Sequence, residues 1–380
     1  MKILQIGKFY PIRGGVEKVM WDLTAGLSAR GIACDMLCCM QRPASVDEKD
    51  RPLHRQEGKL HCFRFNQWGQ VICVPSWGKL AATMLSPALL RWFRKHRDAY
   101  DIVHIHHPDP MAALALRLSG FKGKVVLHWH SDILSQQLLL RLYQPLQCWL
   151  IRRADAIIGT TPPYLEASPW LKDVQSKCKA VPIGIQPITA NPERVEAFRR
   201  RFEGQALILS IGRLVPYKGF SCLIDAVKLL PAHFCLVIGG MGPLRESLEE
   251  QIRANGLEQR VFLEGYLPDE DIPAWFQAAD VFVLSSVLKT EAFGIVQIEA
   301  MSCGTPVVST RIEGSGVAWV NPDGVSGRTV PPRDPQALAD AITDVVKQRQ
   351  RYSEGARRLF QERYTRNQMI NAVEALYRAL

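Results

Sequence analysis

The chain reads as a parallel α/β protein of two domains, and three observations carry that reading. Short apolar runs alternate with segments of helical period from one end to the other. Many of these runs end in a Gly- or Pro-bearing loop that opens a helix, which is the grammar of repeated strand–helix–strand units. The 380 residues also exceed one domain, since roughly 100–200 residues is the common domain size. An apolar content of 47% and a charged content of 22% describe a globular chain with cores to bury.

In order, Lys2–Ile6 is a strand. The loop Gly7–Gly15 holds Pro11 and the pair Gly14-Gly15. Val16–Ala29 is a helix with Val16, Val19, Met20, Leu23 and Leu27 at helical spacing. Ile32–Cys39 is the next strand, residues 41–59 an exposed loop, and Leu60–Phe65 a short strand. Trp77–Lys95 reads as one amphipathic helix, in which Leu85, Leu89, Leu90, Trp92 and Phe93 mix with Arg91, Arg94 and Lys95 and lead into His96 and Arg97. Its basic, aromatic end suits a membrane surface or a sheet-packed helix whose C-terminal cations meet the dipole. Asp101–Ile105 and Lys124–Trp129 are strands around a helix near Pro110–Leu118. A long helix spans Ile133–Arg152, and Ala156–Gly159 and Cys178–Val181 close the first half. Pro182–Pro187 is rich in turn residues and reads as the linker. The second half repeats the pattern: helices Glu193–Phe202, Phe220–Leu230, Leu244–Ala254 and Ile272–Ala278, and strands Leu207–Ile211, Cys235–Ile238, Val261–Leu263 and Val281–Leu284. The helix Ile295–Met301, the strand Pro306–Val308 and several C-terminal helices complete it.

The charge is segregated. Residues 1–188 hold 25 Lys and Arg against 14 Asp and Glu, a balance of +11, whereas the remainder holds 22 against 23. A basic half suits an anionic surface: a membrane leaflet, a lipid diphosphate or nucleic acid. No nucleic-acid recognition motif accompanies it. The ten cysteines are scattered without a CxxC pair. The first residues form neither a signal peptide nor a bilayer span. Reduced, buried thiols in a cytoplasmic protein are therefore expected; the basic half is either a face for peripheral contact at the inner side of the membrane or simply a solvated basic face.

Several loops carry chemistry. Thr290–Glu299 follows a strand, bends at Gly294 and opens a helix, so its free N–H groups and helix dipole form an anion site. Glu291 and Glu299 flank it as acceptors for hydroxyl groups. Gly212-Arg213-Leu214-Val215-Pro216-Tyr217-Lys218-Gly219 places two cations on one strand–helix loop, where both can face a diphosphate. Gly239-Gly240-Met241-Gly242 is not the dinucleotide fingerprint; it is a pocket wall or a tight turn. Gly265-Tyr266-Leu267 borders a base or is an ordinary loop. His104, His106, His107, His128 and His130 gather at two strand ends. Only Asp109 and Asp132 could complete a ligand set there, so no metal is expected. His130, at its strand's end, is the candidate polar catalytic group.

Together the Gly14-Gly15 loop, His128-Trp129-His130-Ser131-Asp132, Gly212–Gly219, the Gly-Met-Gly turn and the Glu-x7-Glu of Glu291 and Glu299 resemble the retaining GT-B glycosyltransferases of the GT4 family, over nearly the whole chain and in the family's order. The resemblance implies two Rossmann-like domains facing an interdomain cleft. Residues 1–186 would bind the acceptor and 187–366 the nucleotide-sugar, with a C-terminal helix, 367–380, packing back on the first domain. It implies that Arg213 and Lys218 hold the diphosphate, and that Glu299 takes the ribose hydroxyls. Glu291 would hold the donor sugar with the backbone N–H groups of Phe293, Gly294 and Ile295. His130 would lie beside the anomeric centre, Gly14 and Gly15 would close over donor and acceptor, and Tyr266 and Leu267 would border the base. Met241 stands where the family usually has an acidic residue. The implied activity is retaining, metal-independent, cofactor-free transfer of a hexose from a nucleotide-sugar onto a lipid-linked or growing bacterial polysaccharide. Mannose from GDP-mannose leads, because of the His128–Leu134 segment. UDP-glucose, UDP-galactose or UDP-GlcNAc donors, a sugar-nucleotide epimerase or hydrolase, and a nucleic-acid-binding protein are the alternatives.

Overall fold

The computed structural model describes residues 1–41, 45–80, 83–133 and 137–380. Three stretches of the sequence reading therefore lie outside the described residues: 42–44 of the expected loop, 81–82 of the expected helix Trp77–Lys95, and 134–136 at the start of the expected helix Ile133–Arg152. The chain divides into two compact units, Met1–Ile183 with Arg366–Leu380, and Gly184–Thr365.

The first unit begins β1 (Lys2–Tyr10), α1 (Gly15–Ala29), β2 (Ala33–Met40), β3 (His54–Glu57), β4 (Leu60–Asn66) and β5 (Gly69–Pro75). A small hairpin follows, β6 (Gly78–Leu80) and β7 (Thr83–Leu85), then α2 (Pro87–His96). The doubly wound pattern resumes with β8 (Ile102–His107), α3 (Pro110–Ser119), β9 (Lys124–Trp129), α4 (Gln137–Arg153), β10 (Ala156–Gly159), α5 (Pro162–Glu166) and β11 (Cys178–Ala180). The nine-stranded sheet runs β11-β10-β9-β8-β1-β2-β5-β4-β3, parallel except at β4 with β5 and β3. From β1 the chain adds β2 and β5 on one side and later returns to add β8 onward on the other, so the winding reverses between β1 and β8. Tyr10, Met20, Met36, Phe63 and Val71 share an apolar cluster under this sheet.

The second unit contains α6 (Pro192–Arg201), β12 (Ala206–Ile211), α7 (Phe220–Leu229), β13 (Phe234–Gly239), α8 (Arg245–Ala254), β14 (Val261–Gly265), α9 (Ile272–Ala278) and β15 (Val281–Leu284). It continues with α10 (Ile295–Ser302), β16 (Val307–Thr310), α11 (Val317–Val320), β17 (Gly327–Val330), α12 (Pro335–Lys347) and α13 (Arg349–Arg363). Its six-stranded parallel sheet is ordered β14-β13-β12-β15-β16-β17. This is the Rossmann order, and the reversal lies between β12 and β15. Ile208, Leu223, Ile224, Leu236, Val283 and Ile342 belong to one buried core.

The helix starts are chemically marked. Ser86, Asp109 and Asp334 each accept a hydrogen bond from a backbone N–H three residues on, at 3.1, 3.0 and 2.9 Å, with proline as the first helical residue. The Ser86-Pro87 start corrects the expected single helix Trp77–Lys95. Its first part is the β6–β7 hairpin, closed by Trp77 N–H donating to Leu85 O at 2.8 Å. The expected loop 41–59 is corrected in part, because it contains the short 3-10 turn Glu48–Leu53 and β3. Asp50 in that turn is buried and accepts from Tyr10 Oη at 2.8 Å, which anchors the segment to β1.

The last helix, α14 (Arg366–Arg378), belongs to the first unit and lies on α1. Ile370 packs against Gly26, where a Cβ would stand 2.1 Å from Ile370 Cδ1. Arg30 binds Asn371 Oδ1 and Glu374 at 2.6 and 3.1 Å. Met369, Ile370, Val373 and Tyr377 are buried beneath it. Replacing the buried Ile370 by Ala is expected to destabilise the first unit by about 2–5 kcal/mol. Denaturant unfolding of the variant beside the wild type checks this.

Candidate active site

In the second unit the loops after β12, β13 and β15 interlock at the carboxyl ends of the strands. Gly219 adopts φ +69°, and a Cβ there would stand 2.1 Å from the Ser285 carbonyl oxygen. Val287 N–H donates to Tyr217 O, and Ser285 Oγ to Lys218 O, at 2.8 and 2.9 Å. The Arg213–Lys218 loop is thereby fastened to the loop that carries Glu291. Gly240, at φ +137°, would place a Cβ 1.9 Å from Gly212 O. The Gly239–Gly242 turn is thus a close-packed support beneath Arg213, and Met241 is exposed on its outside.

Lys218 and Glu291 meet directly. Their Nζ and Oε2 are 2.6 Å apart, with side chains only 11% and 13% exposed. Ser286 Oγ donates to the same carboxylate oxygen at 2.9 Å. This contact is not among those expected from the sequence; two serines directly after the apolar strand Val281–Leu284 were its signal. Arg213 is exposed, and its guanidinium has no ion-pair or hydrogen-bond partner among the described residues. Gly294, in the left-handed region at φ 74°, caps α10, where a Cβ would strike Leu284 and Gln297. The N–H groups of Phe293, Gly294 and Ile295 donate to no partner among the described residues, so they offer an anion the first turn of a helix. The Phe293 ring is buried against Tyr364. Glu299 follows Ile295 by one turn, on the same helix face. Tyr266 is exposed, whereas Leu267 is buried with its side chain over Gly239.

In the first unit, Gly14 and Gly15 are exposed where β1 passes into α1, and Gly14 caps that helix. Arg13 beside them forks onto Asp47 at 2.9 and 2.8 Å. His104, His106, His128 and His130 project from one face of β8 and β9 as a ladder of rings. His128 stacks on His130 at 4.0 Å and His104 on His106 at 4.4 Å, with interplanar angles of 15° and 19°. His107 faces the other way and stacks on Trp129. The nitrogens of His104, His106 and His128 lie within 4.8 Å of one another. A shared ion would need to lie in the plane of each ring, about 2.0–2.1 Å from each nitrogen. His104 lies nearly parallel to His106 and to His128, His106 and His128 are tilted by 32°, and His106 has both nitrogens engaged in hydrogen bonds. Asp109 caps α3 and accepts from Lys8 N–H at 2.5 Å. Asp132 accepts from Trp129 Nε1 and Ser168 Oγ at 2.9 and 2.7 Å.

Burial pushes all five imidazoles down from their ordinary pKa of 6.5, His128 to about 3. For His130 the charge of Lys8 and the neighbouring rings add to the effect. These side chains are therefore neutral near pH 7.

Two doubly wound units, each with ligand-receptive loops at its switch point, define the GT-B class of fold. Residues 13–187 match the Glycosyltransferase Family 4 model and residues 193–362 the model for glycosyl transferases group 1. The O-antigen chain mannosyltransferase C of Escherichia coli is 33% identical, across 100% of this chain and 99% of the relative. The D-rhamnosyltransferase WbpZ of Pseudomonas aeruginosa is 31% identical over 90% and 86%. The crystal structure of Anabaena Alr3699/HepE in complex with UDP superposes with a TM-score of 0.77 over 100% of both chains, at 22% identity. The chain belongs to the GT-B glycosyltransferases.

The histidine stack makes the first unit acid-sensitive. An unfolded imidazole binds a proton near pH 6.5 and a buried one does so only at lower pH, so the unfolded state gains protons first as the pH falls. Stability is complete above about pH 7 and declines below it, by up to about 1.4 kcal/mol per pH unit for each such histidine. Urea titrations at pH 7.5 and 5.5 are expected to show the first unit unfolding ahead of the second at the lower pH.

Proposed function

We propose that this protein transfers a hexose, with mannose from GDP-mannose as the donor, onto a lipid-linked or growing bacterial surface polysaccharide. The observation that carries the reading is the 33% identity, over the whole chain, to an O-antigen chain mannosyltransferase. The geometry of the second unit supports it. Arg213, Lys218 and the start of α10 form a cationic frame for a diphosphate, and Glu291, held by Ser286, is assigned to a hydroxyl of the donor sugar. Glu299 is assigned to the ribose, and Tyr266 and Leu267 to the base edge. A donor diphosphate competes with Glu291 for Lys218, so donor binding exchanges one ion pair for another and releases the carboxylate toward the sugar.

The transfer we propose retains anomeric configuration. The bond from the anomeric carbon to the diphosphate breaks, and its electron pair goes to the β-phosphate oxygen. The acceptor hydroxyl attacks from the same face, and its proton passes to that oxygen. The developing charge falls on Arg213, Lys218 and the α10 N–H groups, where preorganised electrostatics contributes most. No metal or other cofactor is needed in this scheme. To His130 we assign a place beside the reacting sugar, and to Gly14 and Gly15 the backbone that closes over the substrates.

Contact with an anionic membrane is the remaining part of the proposal. Among the described residues no helix is long and apolar enough to cross a membrane. Trp77 and Leu80 on the small hairpin are 76% and 58% exposed, and Lys79 on the same hairpin is exposed as well. Apolar tips beside a cation suit a lipid surface. Sedimentation with phosphatidylglycerol vesicles is expected to pull down the wild type and to lose Trp77→Ser/Leu80→Ser. Equal sedimentation of both would remove the contact.

A nucleotide-sugar panel read by thermal shift and product analysis tests the main reading. GDP-mannose is expected to stabilise the protein and to be consumed only with acceptor. Stabilisation by a UDP-sugar alone would replace the donor, and turnover without acceptor would make the protein an epimerase or hydrolase. Glu291→Ala and Lys218→Ala are each expected to lose about 10²–10³-fold in kcat while staying folded, with melting lowered because each leaves the other charge unpaired. Full activity in both would remove the site.

A further inference from the structure

The reading of His130 leaves open which of its ring nitrogens carries the proton, and a buried hydrogen-bond chain in the first unit answers this. The chain starts at a group that can only accept, the carbonyl oxygen of Met20. Thr24 Oγ1 donates its hydrogen to that carbonyl at 2.8 Å, so its lone pairs face the next partner. Gln5 Nε2 donates to Thr24 Oγ1 at 2.7 Å and reaches Met20 O at 3.3 Å. The opposite amide orientation would turn Gln5 Oε1 toward the Met20 carbonyl and a hydroxyl with no hydrogen left to give, leaving only the weak thiol donor of Cys34, whose Sγ lies 3.6 Å from Gln5 Nε2, so the stated orientation is favoured.

Gln5 Oε1 consequently faces His106, at 2.8 Å from Nε2. A carbonyl oxygen accepts, so His106 carries its proton on Nε2. Its Nδ1 is then a lone pair, and it lies 2.9 Å from His130 Nε2. His130 must supply the hydrogen. Gln5, Thr24 and His106 are sealed from solvent, and a half-turn of the His130 ring would put a carbon in place of Nε2 and lose the hydrogen bond to His106. His130 Nδ1 has no hydrogen-bond partner among the described residues, and it is absent from the fully enclosed unpartnered atoms that include both nitrogens of His128.

We infer that Gln5 and His106 are positioning residues which fix the proton of His130 on Nε2, so that Nδ1 presents a lone pair and His130 acts as a hydrogen-bond acceptor for a sugar hydroxyl. The inference rests on the proposed role of His130 for its meaning in catalysis, but the proton's position is a property of the resting protein. A Gln at position 5 with a Thr at position 24 thus sets the polarity of a side chain that neither residue touches. The chain runs from α1 through β1 and β8 to the residue after β9, all within one unit.

Nitrogen NMR of histidine-labelled protein tests the arrangement, with the His130 signals assigned by their loss in His130→Asn. The expected wild-type spectrum has Nε2 protonated and Nδ1 unprotonated in both His106-linked directions, that is, Nε2–H on His106 and Nε2–H on His130. A proton on His130 Nδ1 in the wild type would overturn the inference without reference to any variant. Gln5→Leu removes the acceptor and is expected to mix the tautomers and to lower kcat by about 10–100-fold while donor KM stays within about twofold. Gln5→Glu in its protonated form keeps a carbonyl oxygen toward His106 and a hydroxyl donor toward Thr24, and is expected to restore the wild-type pattern. An unchanged His130 tautomer in a folded Gln5→Leu would also overturn the relay. Full transfer by His130→Ala would instead retire the role of His130 in catalysis and leave the tautomer result standing.

Discussion

The second unit depends on backbone segments lying closer together than any side chain permits. The loop after β12 touches the loop after β15 through Gly219, and it touches the loop after β13 through Gly240. These contacts follow from strand order. β12 is the first strand of its sheet in the chain, and later segments of the chain lay β13 on one side of it and β15 on the other. Its loop must fit between theirs. Once it does, Lys218 has little choice but to meet Glu291, and Arg213 is left facing solvent. The ion pair is a consequence of the packing. It is held by Ser286 and by the hydrogen bonds that join the loops, so the cation and the carboxylate are set in place before any ligand arrives.

The first unit solves a different problem with similar means. Four histidines on one face of two neighbouring strands would repel one another if charged. Burial and stacking keep them neutral, and hydrogen bonds to Gln5 and Tyr377 order part of the array. His104 Nε2 and both nitrogens of His128 have no partner among the described residues. Such an arrangement costs stability in acid, and its retention is understandable if one member, His130, does work that needs a fixed lone pair. The C-terminal helix contributes here as well as to packing, because Tyr377 reaches His104 from it.

Much of the architecture was legible in the sequence. The strands Lys124–Trp129, Ala156–Gly159 and Val281–Leu284 and the helix Ile272–Ala278 fall where periodicity places them, since short buried strands between Gly and Pro punctuation leave few alternatives. The failures have physical causes. Trp77–Lys95 carries helical spacing throughout, yet Ser86-Pro87 starts the helix and the residues before it pair as a hairpin. β5 received no bounds from the sequence, although Cys73 lies in an apolar strand-like run, because Gly69–Pro75 follows the short turn from β4 and lacks polar alternation, being buried in the sheet between β4 and β2. The glycine turn at Gly240 read as a wall or a tight turn, and only three-dimensional contact with Gly212 showed it to be a support.

The sequence by itself determined two doubly wound units, the glycines where loops must close, and the residue types of the candidate site: Arg213, Lys218, Glu291, Glu299 and His130. Those are local properties, written as spacing, punctuation and charge. The tertiary structure alone decided which of them meet. It paired Lys218 with Glu291, left Arg213 open, arranged the histidines as a stack, and joined Gln5 to His130 through His106. Residues 5, 24, 106 and 130 become neighbours only when β1, β8 and β9 align side by side, because the polarity of a buried hydrogen bond depends on partners far away in the chain.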